Sequence, residues 1–149
     1  MGNLQLTSDA FSHGGEIPRK CGYKNGNEKP SLMINGVPEG TKYLALIMDD
    51  PDAMGAVGKV WVHWVVWNLP LDRSQHKIDY TRSDEGITDF GEVGYGGPAP
   101  PDKRHTYVFK LYALDTKLDL PDKSTKADVE KAMEGHIIEQ TTLEGTYAP

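Results

Sequence analysis

Short apolar runs separated by Gly, Pro and Asn punctuate this chain, which is the pattern of strands joined by turns. Three runs are well defined. Tyr43–Met48 is almost continuously apolar and stops at Asp49-Asp50-Pro51-Asp52. Val60–Asn68 is rich in Val and Trp and ends at Leu69-Pro70. His105–Leu114 is rich in aromatic and β-branched residues. Continuous runs bounded by turn signals predict central strands covered on both faces. Strict alternation along the second run places Trp61, His63, Val65 and Trp67 on one face and Val60, Val62, Trp64 and Val66 on the other. Leu4–Thr7 and Ser31–Ile34 read as shorter strands, and residues 13–30 as irregular loop.

The period changes after Leu120-Pro121. Thr125 and Asp128 fit a helix N-cap with its partner three residues on. Val129, Ala132, Met133, His136 and Ile137 then recur at spacings of three and four, which predicts one amphipathic helix that tolerates Gly135 and frays before Gly145. The expected class is mainly β with a helix packed late in the chain.

Composition narrows the function classes. The 149 residues are 38% apolar and 26% charged, enough to build one globular domain over residues 1–149. The net charge of −6 comes without any cluster of five or more Lys and Arg, which argues against a nucleic-acid partner. The lone Cys21 excludes an internal disulfide and a Cys-rich zinc module. The opening Met-Gly-Asn-Leu-Gln-Leu lacks the marks of a signal peptide, and no apolar run is long enough to span a membrane. A cytoplasmic setting is expected.

Four features carry candidate chemistry, each with a plainer alternative. Asp50-Pro51-Asp52 ends an apolar strand, and an acid at a core rim needs a partner; the same residues also suit a solvated turn. His63 stands among large apolar side chains, either as a neutral core histidine bonded to a backbone carbonyl or as a pocket imidazole paired with Asp50 or Asp52. Gly94-Tyr95-Gly96-Gly97-Pro98-Ala99-Pro100-Pro101 is an ordinary long loop or a wall of oriented amides around an anion. His105 and Tyr107 share a strand face with Phe109 and Leu111, either as a strand end meeting water or as a polar pair over an apolar floor. Other chemistries lack their signatures. There is no Gly-x-Ser-x-Gly elbow and no His-Glu-x-x-His, and Cys21 has no neighbouring histidine. The spacing of Asp50, His63 and His105 carries no metal-ligand pattern. His13, His76 and His136 have no partner readable in the sequence.

Taken together and in this order, the motifs resemble a known family. Leu44-Ala45-Leu46-Ile47-Met48-Asp49-Asp50-Pro51-Asp52-Ala53 resembles the first signature of the phosphatidylethanolamine-binding proteins, which include the Raf kinase inhibitor proteins. Val62-His63-Trp64-Val65-Val66-Trp67-Asn68-Leu69-Pro70 resembles the following segment. The loop from Gly94 to Pro101 with His105–Leu114 resembles the second signature. Ile17-Pro18, Cys21-Gly22 and Pro30-Ser31-Leu32 are similar to the family's early loop, and Gly135-His136-Ile137 and Gly145-Thr146-Tyr147 to its tail. The short length is most similar to the bacterial and archaeal branch. Met54 stands where the family often has proline, and Thr106 where animal members have arginine.

The resemblance implies a large central antiparallel sheet packed on a smaller sheet, with short peripheral helices. It also implies a pocket for phosphoryl-type anions, walled by Asp50, Pro51, Asp52, His63, Pro100, Pro101, His105 and Tyr107. The segment Gly55–Lys59 is short, so that side of the pocket is expected to be open. The leading expectation is a binding protein with no catalytic residues, cofactor or metal. Its partner would be a small phosphorylated or other anionic ligand. A module that inhibits a kinase or serine protease through the pocket rim is the alternative, and a hydrolase using Asp50, His63 and Tyr107 ranks last. The natural ligand and a homodimer stay open.

Overall fold

A computed structural model describes residues 2–71 and 77–149; His76 lies outside them. The fold is mainly β, in two antiparallel sheets. The smaller pairs β1 (Gln5–Thr7) with β2 (Met33–Asn35). The larger contains β3 (Tyr43–Asp50), β4 (Trp61–Pro70), β5 (Asp84–Glu85), β6 (His105–Leu114) and β7 (Ile137–Tyr147), in the order β5-β4-β3-β6-β7. Helices α1 (Ala53–Val57) and α2 (Lys126–Met133) complete it. Among the described residues no helix is long and apolar enough to cross a membrane.

The three apolar runs form β3, β4 and β6, the interior strands, because both their faces are covered. Leu44, Leu46, Met48, Phe109 and Leu111 pack on one side with Leu6, Ile17 and Leu32. Ala45, Ile47, Val65, Trp67 and Leu114 pack on the other with Val129 and Met133 of α2. Each Val, Leu, Ile, Phe or Met among them, fully buried, contributes roughly 1.5–3 kcal/mol. Asp49 fastens α2 to the sheet: its buried carboxylate accepts from Lys110 Nζ at 2.9 Å and Lys126 Nζ at 2.8 Å.

Two expectations about secondary structure fail for local reasons. The capping box forms as expected, with Asp128 N donating to the Thr125 hydroxyl and Thr125 N to the Asp128 carboxylate. The helix nevertheless ends at Met133, because Gly135 adopts φ +80°, a left-handed geometry that stops a helix. Ile137–Tyr147, expected partly as helix and partly as frayed tail, is an 11-residue strand along β6. Its Ile, Thr and Tyr residues suit a pleated ladder better than a helix.

Alternation along β4 also breaks. Val62 and Trp64 pair with the consecutive residues Asp49 and Met48, which leaves His63 as an extra residue, a β-bulge. Val62, Val65 and Trp67 therefore face α2, whereas Trp64 and Val66 face the small sheet. His63 turns to that second side, with its ring centroid 5.1 Å from that of Tyr107. The predicted grouping of His63 with Val65 and Trp67 is thus incorrect.

Candidate functional site

Antiparallel pairing brings the end of β3 beside the starts of β4 and β6. Asp50, His63 and His105 meet there although 55 positions separate the first from the last. Side chains alternate along a strand, so the adjacent acids divide: Asp49 serves the α2 side, and Asp50 enters a pocket of about 140 Å³. Asp50, His63, Pro101 and His105 line it, with Trp61, Phe90 and Ala99. Ala53, Ala56 and Val57 of α1 form another wall, where an open side was expected. Three features seat this five-residue helix. Ala53 N donates to Asp50 Oδ1 at 3.2 Å, and Gly58 adopts φ +81° while its N–H donates to Met54 O.

The glycine-rich loop is held by close approaches. Gly96 N donates to the His63 carbonyl at 2.8 Å, and His63 Nδ1 donates back to the Gly96 carbonyl at 2.7 Å. Gly97 N donates to Asn27 Oδ1 at 2.7 Å. A Cβ on Gly97 would lie 2.0 Å from the Cys21 carbonyl oxygen, and one on Gly96 2.5 Å from the Phe90 ring. Phe90 stacks on Tyr23, with centroids 4.0 Å apart, and meets the His63 ring edge-on.

The two histidines are in opposite electrostatic states. Burial holds the His63 pKa down, with Gly96 and Asp50 opposing. His63 is therefore neutral, and with its proton on Nδ1 its Nε2 is left as an acceptor. His105 is fully covered, and both its nitrogens face carboxylates: Nδ1 lies 2.6 Å from Asp50 Oδ2 and Nε2 lies 2.7 Å from Asp102 Oδ1. Carboxylates only accept, so His105 is an imidazolium. Burial pulls its pKa down, but the hydrogen bonds and charges of Asp50 and Asp102 outweigh it and the pKa is raised. The bond from His105 in turn lowers the Asp102 pKa.

The signs give a pH prediction. A raised folded pKa contributes stability that is lost as pH rises from the unfolded value of about 6.5 through the folded one. A depressed pKa contributes stability that is lost as pH falls from about 6.5 through the folded value. His105 is therefore expected to weaken the fold above that pH and His63 below it. Imidazole nitrogen NMR checks this: His105 should stay doubly protonated above pH 6.5, and His63 should stay neutral below it. Both rings titrating together near 6.5 would contradict the assignment.

The remaining predicted residues do not line the pocket. Tyr107 is fully buried against His63. Burial, then the Asp50 charge, drives its pKa far up, so it stays a phenol. Its hydroxyl makes no hydrogen bond of ordinary geometry, although Asp50 and the Ala99 backbone act on it. Pro51 is exposed and Pro100 is buried. Asp52 is exposed and accepts from Thr106 N at 2.8 Å, clamping the first-signature turn to β6. Asp102 was missed: Pro-Pro-Asp-Lys-Arg reads as a solvated bend, and only its spacing of three from His105 hinted at a partner. His136 and His13 also have partners, Asp115 and the Glu144 N–H.

Comparison with known proteins bears on the family and the fold. The family model for phosphatidylethanolamine-binding protein matches residues 7–148. A UPF0098 protein of Methanothermobacter thermautotrophicus is 44% identical over 151 residues, covering 97% of this chain and 98% of that relative. Among solved structures, a phosphatidylethanolamine-binding protein homologue from Chlamydia trachomatis superposes with TM-score 0.90 at 38% identity, over 99% of this chain and 98% of that one. YbcL of E. coli, a member of the mammalian family, gives 0.86 at 32% identity, over 98% of each chain.

Proposed function

Because this chain belongs to the phosphatidylethanolamine-binding protein family, we propose that its pocket binds a small ligand through a phosphoryl or similar anionic group, as a binding protein rather than an enzyme. The observation that carries this reading is the placing of the His105 ring, with Nδ1 2.6 Å from Asp50 Oδ2 and Nε2 2.7 Å from an oxyanion already, that of Asp102. A ligand oxyanion suits the same donor. The neutral His63 offers an acceptor, so a group bearing both O⁻ and OH, such as hydrogen phosphate, satisfies both rings. At about 140 Å³ the cavity is smaller than the roughly 300–1,000 Å³ of drug-sized sites, which favours a head group over a bulky ligand.

The binding reading also draws on what lines the cavity. No serine, cysteine or lysine is among the lining residues, so these groups offer none of the usual activated nucleophiles, and both nitrogens of His105 are already engaged. A second reading, docking of a partner protein on the rim, draws on Met54 and Val57 of α1, which are 54% and 52% exposed.

Isothermal titration with inorganic phosphate and with phosphoethanolamine tests the first reading. Dissociation constants on the order of millimolar to micromolar are expected. A charge-assisted hydrogen bond contributes about 1.5–3 kcal/mol, so His63→Ala should weaken binding roughly 10- to 150-fold. Equal heats from both proteins would remove the pocket assignment.

A further inference from the structure

His105 presents a contradiction to any anion that approaches it. It lines the pocket, yet it is completely covered and neither ring nitrogen is free. Asp50 cannot withdraw, since it is buried and also holds Ala53 N. Asp102 can. Its side chain is 44% exposed, it sits on the bend after Pro100-Pro101, and its other hydrogen bonds are local, from Lys103 N at 2.9 Å and from its own backbone.

We infer that Asp102 is a specificity-determining residue that acts as an internal competitor, its carboxylate occupying the His105 Nε2–H donor until a ligand anion displaces it. This rests on the anion-binding reading above. Binding is then an exchange of one oxyanion for another. The tethered carboxylate acts at an effective concentration on the order of millimolar or higher. A free monocarboxylate makes the same bond without that advantage and loses. A phosphoryl group carries more charge and more acceptor oxygens, reaches His63 as well, and prevails. Asp102 thus sets the affinity low and screens simple carboxylates from the site.

The test is calorimetric titration of wild type, Asp102→Ala and Asp102→Asn with inorganic phosphate and, separately, with acetate. Asp102→Ala should tighten phosphate binding about tenfold or more and make acetate binding measurable where the wild type shows none. Asp102→Asn is isosteric, keeps the bend intact if truncation disturbs it, and should fall between. If the wild type binds phosphate and both variants bind it equally or more weakly, the competitor role is overturned while the pocket reading stands. If none of the three binds phosphate, both are overturned.

Discussion

Asp50→Ala is expected to lower the unfolding free energy by about 3–5 kcal/mol, the cost of removing one partner from a buried ion pair. The carboxylate is 2% exposed and lies against a fully covered imidazolium. Without it His105 either keeps its charge with an unpaired Nδ1–H or loses the proton and buries a bare nitrogen. Ala53 N loses its acceptor too, so α1 loosens with the pair. Asp50→Asn should cost less, because an amide oxygen still accepts from Nδ1. Urea unfolding at pH 6, where the pair is charged, measures both. A loss below about 1 kcal/mol for Asp50→Ala would contradict a buried, charged pair.

Trp64→Ala should be comparably severe, about 3–5 kcal/mol. The indole is fully buried on the side of the sheet facing the small sheet. Its centroid lies 4.9 Å from the Tyr80 ring and 5.1 Å from the Tyr95 ring, and Nε1 donates to Glu85 Oε2 at 2.8 Å. Tyr95 belongs to the glycine-rich loop and donates to the Cys21 carbonyl, so the cavity left behind would also slacken that wall of the pocket. Trp64→Phe should recover much of the loss while forfeiting the Glu85 bond. Thermal or urea melts of the two variants check this, and near-equal midpoints would show that the hydrogen bond, rather than the packed volume, matters most.

The strands that build the site were legible because their apolar runs are long and their stops abrupt. Asp50, His63 and His105 were legible as chemistry because polar residues in or at the ends of apolar strands demand partners, whereas Pro101 came only with the family resemblance. What was hidden depended on single residues. A two-residue period cannot register the extra residue at position 63, which reassigns the faces of β4. The helical spacing Val129, Ala132, Met133, His136, Ile137 continues smoothly across Gly135, so β7 was obscured by a periodicity that one left-handed glycine cancels. Helix α1 spans five residues and contains Gly55, too little for any period. Asp52 resembled a pocket wall by its neighbours, yet its partner is a backbone amide 54 positions away. Asp102 was masked by the charged bend around it.

The irregularity at His63 separates the imidazole from the packing of the strand that carries it. The pairs Asp49 with Val62 and Met48 with Trp64 each keep both members on a common side of the sheet. Excising residue 63 would let the ladder close with every remaining side chain where it already stands. The imidazole is therefore an addition to the ladder rather than a member of it: the pairs on either side keep their places, and no packed neighbour gives up its own to His63.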